Sequence, residues 1–233
     1  MRRLRRFAAF LTVLGLFLTN GLRTSAEAQI IYRCASKTGR QCVALTFDDG
    51  PHPKYTPLIL DILKAEGVQA TFFTVGTNAE TYPDLIKRIA AEGHELGNHT
   101  YNHNHVGKMS RQALAEDISL CAESIARITG SYPRYFRPPE GVCNQDVKEI
   151  CEKSGMTIVM WSVDTKDWAH PTIFEMCENV RCNTKTGAIV LMHDFIGKNS
   201  PTPEALRQII PILRGLGYEF VTVSQLLSEG GVT

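Results

Sequence analysis

Val43-Ala44-Leu45-Thr46-Phe47-Asp48-Asp49-Gly50-Pro51 runs an apolar strand directly into an acidic turn. β-Branched and aromatic side chains suit a pleated, buried surface, and Gly50-Pro51 obliges the chain to turn. The unit recurs along the chain. Strands are expected over 43–47, 70–75, 95–98, 135–137, 157–161, 188–193 and 218–223. Helical patterns fall between them near 56–66, 82–92, 111–129, 144–154, 173–183 and 204–216. Ser110 before one helix, and Gly67, Gly93 and Gly130 after others, supply start and stop signals. Strand–helix alternation predicts an α/β fold with a mostly parallel sheet, either a barrel or doubly wound. No repeat or linker divides residues 30–233, so one domain is expected. In both architectures chemistry gathers at the C-terminal ends of the strands, where every polar motif of this chain lies.

Adjacent strand residues point to opposite sides. A turn can instead aim Asp48 and Asp49 into one cleft, one binding a cation and the other free as a base; the same residues also suit a solvated turn. In His99-Thr100-Tyr101-Asn102-His103, a spacing of four puts two imidazoles on one face if the segment is helical, a donor pair suited to a divalent metal. His94 and His105 read as ordinary surface or turn histidines. One carboxylate with two imidazoles leaves coordination positions open, as catalytic sites do. Phe136-Arg137-Pro138-Pro139-Glu140-Gly141 is a stiff loop. Arg137 either pairs with a site carboxylate and tunes its basicity or decorates a surface turn. In Asp164-Thr165-Lys166-Asp167-Trp168 an aromatic beside carboxylates suggests a cleft wall for a sugar or acyl group. His193, ending Leu191-Met192-His193, becomes a general-acid candidate if a metal and an acidic partner lie near it.

The 233-residue chain begins with a basic segment and an apolar run from Phe7 to Leu18, then Ala26-Glu27-Ala28. That pattern is a signal peptide cleaved before Gln29, or an uncleaved anchor, although the run is shorter than the roughly 20 residues a bilayer span needs. A secreted or cell-surface location is expected, with membrane contact only if residues 7–18 are retained. Residues 1–28 hold five arginines and one glutamate, so their removal takes the formal net charge from +1 to −3. No Lys/Arg run survives, which argues against nucleic acid as a partner. Seven cysteines without a C-x-x-C pair disfavour a cysteine zinc site, and Cys34 and Cys42 flank a turn and could close a small disulfide loop.

Thr46-Phe47-Asp48-Asp49-Gly50, His99-Thr100-x-x-His103, Arg137-Pro138-Pro139-x-Gly141, Asp164-x-x-Asp167-Trp168 and Leu191-x-His193 occur in one order. Together they resemble the polysaccharide deacetylases of carbohydrate esterase family 4, the NodB homology domain. The resemblance covers residues 41–228, leaving 29–40 as a short N-terminal extension, and implies a distorted (β/α)7-type barrel. It implies Asp48 as catalytic base, Asp49, His99 and His103 as ligands of a divalent metal (commonly zinc, with cobalt or another ion possible), and Arg137 as the group holding the base. Asp167 would pair with the acid His193, Trp168 and Leu191 would wall the acetyl pocket, and Pro139, Glu140 and Gly141 would contact the substrate and supply a backbone donor. Glu140 departs from the tyrosine often found there. The implied reaction is hydrolytic N-deacetylation of N-acetylglucosamine in a polysaccharide. Peptidoglycan is the first expectation, chitin oligosaccharides the second, and N-acetylmuramic acid or O-acetyl xylan follow. A non-catalytic glycan-binding protein of the same fold and a metal-dependent amidase acting on small amides are the readings from other classes.

Overall fold

The computed structural model describes residues 29–197 and 199–232; the expected leader, residues 1–28, lies outside them. The chain runs β1 (Ile30–Ile31), β2 (Cys34–Ser36), β3 (Cys42–Asp48), α1 (Tyr55–Glu66), β4 (Thr71–Thr74), α2 (Gly76–Thr81), α3 (Pro83–Ala91), β5 (Glu95–Asn98) and α4 (Arg111–Thr129). It continues through β6 (Tyr135–Phe136), α5 (Gln145–Ser154), β7 (Thr157–Val159), β8 (Val163–Asp164), α6 (Ile173–Asn183) and β9 (Ala188–His193). It closes with α7 (Thr202–Gly215), β10 (Glu219–Phe220), α8 (Val223–Glu229) and β11 (Gly230–Val232).

One curled sheet carries the order β1-β7-β6-β5-β4-β3-β9-β8, with β10 against the start of β3. Every ladder in it is parallel. β8 and β1 are its two edges. The result is a half-closed (β/α) barrel, as expected from the sequence. Only residues 160–162 join β7 to β8, too few for the helical crossover that adjacent parallel strands require, so the chain steps across the seam of the barrel there. Residues 29–40 are woven into this body: β1 extends the main sheet, and β2 pairs antiparallel with β11.

β3 sits at the centre and is buried along its whole length. Its alternation splits two cores. Val43, Leu45 and Phe47 face an outer layer with Ile59, Leu63, Leu206 and Ile209 from α1 and α7. Ala44 faces the barrel interior with Phe73, Val159 and Ile189. Thr46 and Asp48 share the interior face of Ala44, so the strand's period itself carries a carboxylate into the barrel.

The expected helices 111–129 and 173–183 and the strands 95–98 and 188–193 match α4, α6, β5 and β9 in full. α2, α8 and β8 were not anticipated. The Gly-Thr-Asn start of α2 is a poor helix former; it is held from outside, because Gly76 and Thr77 N–H groups donate to the Thr100 and Tyr101 carbonyls at 3.0 Å each. α8 did carry a readable signal, a Thr222/Gln225 capping box. All seven cysteines are unpaired thiols, so Cys34 and Cys42 close no loop. No helix among the described residues is long and apolar enough to cross a membrane.

Gly187 locks β2 to β3. It accepts from Cys34 N–H at 2.9 Å and donates to the Cys42 carbonyl at 2.7 Å. Its φ is +80°, and a Cβ there would lie 1.5 Å from the Cys34 carbonyl oxygen. Gly187→Ala should therefore cost about 3 kcal/mol or more, read as a lower urea midpoint with an unchanged slope.

Candidate active site and metal centre

The polar motifs meet at the C-terminal mouth of the barrel, around a cavity of about 360 Å³ lined by Asp48, Asp49, His99, His103, Pro138, Glu140, Gly141, Trp161, Asp164, Trp168, Leu191 and His193. Asp48 ends β3 on the interior face. Asp49 follows with φ 75°, and this left-handed residue breaks the strand alternation and turns the second carboxylate toward the same cavity. Asn78 Nδ2 pins that turn by donating to the Asp49 carbonyl at 2.8 Å.

Segment 99–103 is not helical, so the condition of the spacing argument is not met. Thr100 (φ 67°) and His103 (φ 55°) both adopt left-handed backbone, and the resulting tight loop still brings the rings to a centroid separation of 5.0 Å. Asp117 on α4 organises it. Its Oδ2 accepts from Tyr101 N–H at 3.0 Å and Asn102 N–H at 3.2 Å, and its Oδ1 accepts from Asn102 Nδ2 at 2.6 Å. Asn98 Oδ1 accepts from Thr100 N–H at 2.9 Å. Asp117 was invisible in the sequence because it stands in the middle of an ordinary amphipathic helix.

Asp49 Oδ1 lies 3.3 Å from His99 Nε2 and 3.0 Å from His103 Nε2, and the three ligand atoms fall within 4.8 Å of one another. His99 Nδ1 is 2.7 Å from the Arg137 carbonyl. A carbonyl only accepts, so Nδ1 carries a proton and Nε2 is the nitrogen turned toward Asp49, where it would ligate a metal. A ligand set with its tautomer fixed from behind and a carboxylate between two imidazoles fits a divalent cation. Burial works to raise the Asp49 carboxyl, yet His103 and His99 hold it far below the usual carboxylate range. Asp49 in turn raises His103, against the effect of burial.

Asp48 stands apart from this set, 3.8 Å from His99 Nε2 through Oδ2. Arg137 holds it. Nη1 donates to Asp48 Oδ1 at 2.7 Å and to Thr46 Oγ1 at 2.8 Å, Nε to the Val159 carbonyl at 3.0 Å, and Nη2 to the Met160 carbonyl at 3.0 Å. The guanidinium is 0 % exposed and lies 4.0 Å from the Phe73 ring centroid. Burial pulls Arg137 below the ordinary arginine value, with Asp48 opposing.

On the neighbouring strand, where His193 ends β9 in register with Asp48, His193 Nδ1 lies 2.7 Å from Asp167 Oδ1. Asp167 is itself held by the His193 and Trp168 N–H groups and the Thr202 hydroxyl. Burial disfavours the imidazolium, but Asp167 outweighs it and pushes His193 up to about 9. Leu191 and Trp168 line the cavity. Pro139 is buried and not part of that wall, where Pro138 stands instead. Gly141 and Val142 N–H donate to the Pro138 and Pro139 carbonyls, leaving the N–H of Glu140 as the loop's free donor, on a residue with φ 56°.

Asp194 had no assigned role, although it adjoins His193. Its N–H donates to the Asp48 carbonyl at 3.1 Å, its carboxyl accepts from Thr56 Oγ1, and it fills the space where a Cβ on Gly50 would come within 2.0 Å. It thus buttresses the acidic turn from behind. Complete burial pushes its pKa up to about 7.

Two measurements test these supports. Arg137→Leu removes one partner of a buried pair and should cost about 3–5 kcal/mol in chemical unfolding. For His193, a folded-state pKa of about 9 lies above the ordinary value of 6.5, so its pairing with Asp167 stabilises fully below pH 6.5 and is lost as pH rises through 9. Thermal scans should show that alkaline loss in the parent protein and not in His193→Gln.

Comparison with known proteins places this geometry. The polysaccharide deacetylase profile matches residues 35–159. A peptidoglycan-N-acetylglucosamine deacetylase of Bacillus cereus is 42 % identical over 79 % of this chain and 87 % of its own length. A chitooligosaccharide deacetylase of Bradyrhizobium sp. is 36 % identical over 81 % and 92 %. The crystal structure of the Bc1960 peptidoglycan N-acetylglucosamine deacetylase, in complex with 4-naphthalen-1-yl-N-oxidanyl-benzamide, superposes with a TM-score of 0.83 at 36 % identity, over 88 % of this chain and 96 % of that one. The chain belongs to the polysaccharide deacetylase family, whose members are hydrolases of carbohydrate-bound acetyl groups that use a divalent metal.

Proposed function

We propose that the protein hydrolyses the N-acetyl group of N-acetylglucosamine residues in peptidoglycan, with zinc as its metal and Asp49, His99 and His103 as the ligands. Imidazole and carboxylate donors suit zinc, and cobalt would be accepted by the same set. The observation that carries this reading is the division of the acidic pair: Asp49 sits between two imidazoles, while Asp48 is kept out of that set by Arg137 and lies in register with His193 on the wall of the same cavity.

When bound, the ion supplies Lewis acidity to the acyl oxygen and lowers the pKa of the attacking water. Asp48 takes the proton of that water on Oδ2, since Oδ1 is committed to Arg137. The Glu140 N–H is the backbone donor available to the developing oxyanion. His193, with Nδ1–H directed to Asp167, delivers a proton from Nε2 to the leaving amine. Trp161, Trp168 and Leu191 wall the cavity and exclude water from the acetyl group. The sequence of the first 28 residues supports an exported protein, with Gln29 as the mature N-terminus.

Acetate release from purified peptidoglycan and from N-acetylglucosamine oligomers, with zinc and with chelator, tests the reading. Release should require metal, and no release from any acetylated glycan by metal-loaded protein would overturn it. Asp49→Ala should lose bound metal and turnover together, whereas Asp48→Asn should keep its metal and lose roughly 10²–10⁴ in rate. Because His193 must be protonated to act, the rate should hold to an alkaline limb near pH 9. In Asp167→Asn, without the carboxylate that raises His193, that limb should move toward neutrality. N-terminal sequencing of the secreted protein tests cleavage, with Gln29 expected first.

A further inference from the structure

The two imidazoles of the metal centre are held in different ways. His99 follows β5 directly. Its N–H donates to the Thr74 carbonyl at 3.0 Å, and its ring is fixed from behind by the Arg137 carbonyl at 2.7 Å. His103 has no such support. Apart from Asp49 and its own backbone, no hydrogen-bonding partner holds its ring among the described residues, and its side chain is 34 % exposed. The place of this ring is therefore set by the course of the backbone through residues 100–103, which enters the left-handed region at both ends.

That course is imposed from α4. Asp117 is 4 % exposed, and its carboxylate accepts from the Tyr101 N–H, the Asn102 N–H and Asn102 Nδ2. None of these donors is charged, so the carboxylate shapes the loop and is not spent on an ion pair. The next residue of the helix, Ile118, accepts through its carbonyl from Asn98 Nδ2 at 2.8 Å, and Asn98 Oδ1 holds the Thr100 N–H. Thr100 Oγ1 in turn accepts from His103 N–H at 3.1 Å. Of these groups, Asp117 alone grips the N–H groups of Tyr101 and Asn102, the two residues between the left-handed Thr100 and His103.

Resting on the zinc reading above, we infer that Asp117 is a positioning residue for His103 and sets the metal affinity of the centre. It does through the backbone what the Arg137 carbonyl does for His99 through the ring. Left-handed backbone at non-glycine residues persists only where contacts over-determine it. Without Asp117, two loop N–H groups lose their acceptor and the turn loses its brace. His103 is then free to leave Asp49, and two of the three ligands stay in place. Partners that orient a ligand from behind are typically worth roughly 10–100-fold in metal affinity.

The test measures zinc affinity by competition with a chromophoric chelator. Asp117→Ala should weaken zinc binding roughly 10–100-fold. Asp117→Asn keeps one oxygen for the loop but cannot also receive Asn102 Nδ2, and should fall between the alanine variant and the parent. In a His103→Ala background either change should weaken zinc by no more than about twofold, because the ligand it positions is gone. Ile89→Val trims a buried residue of the outer layer. It should lower the urea midpoint and leave zinc affinity unchanged, which separates loss of the brace from loss of stability. If Asp117→Ala does not fold, the asparagine variant decides by the same comparison. Parent-like affinity in the deciding variant, or an equal loss with and without His103, overturns the role of Asp117 while the zinc site stands. No zinc bound by the parent protein overturns both.

Discussion

A single buried cation organises the molecule. Arg137 enters the barrel interior from the end of β6 and ties Thr46 and Asp48 on β3 to the Val159 and Met160 carbonyls at the end of β7. Its own carbonyl fixes the tautomer of His99 on the loop after β5. β3, β7 and the loop after β5 are thereby referenced to one residue. A buried arginine is expensive to desolvate, so it persists only where acceptors meet its donors; here four of the five N–H groups are bonded. The same bond that satisfies the arginine keeps Asp48 out of the ligand set. Stability of the barrel mouth and the separation of base from ligand are one arrangement.

Around that anchor the backbone is held in conformations it would not choose alone. Asp49, Thr100, His103 and Glu140 are all non-glycine residues in the left-handed region, and all lie in the site or in the loops that form it. Such residues cost about 1–3 kcal/mol each and survive only where surrounding contacts over-determine them. Asn78, Asn98 and Asp117 provide those contacts for the acidic turn and the histidine loop. Asp194 fills the space behind Gly50. Strain at the mouth is offset by an interior packed on both faces of β3.

The fold was largely legible because period and punctuation agree: buried apolar runs of strand length alternate with amphipathic helices bounded by Ser110, Gly67 and Gly130. Elements that escaped notice were short or held from outside. α2 has almost no helical propensity of its own and takes its first bonds from the histidine loop, and β8 is two residues long with no pattern to read. Residues 29–40 read as an extension since nothing local announces that β1 will be paired with β7, far along the chain.

Within the site, the sequence by itself determined which chemical groups are present and that they fall at strand ends: two carboxylates after β3, two imidazoles after β5, an arginine after β6, and a histidine ending β9. It also carried the ordered motifs by which the family is recognised. Tertiary structure alone decided how those groups divide their roles. Asp48 and Asp49 are neighbours of identical type, and only the face of the strand, a positive φ and the reach of Arg137 make one a clamped base and the other a ligand. The four-residue histidine spacing would pair the rings on a helix, yet a left-handed loop braced by Asp117 is what unites them.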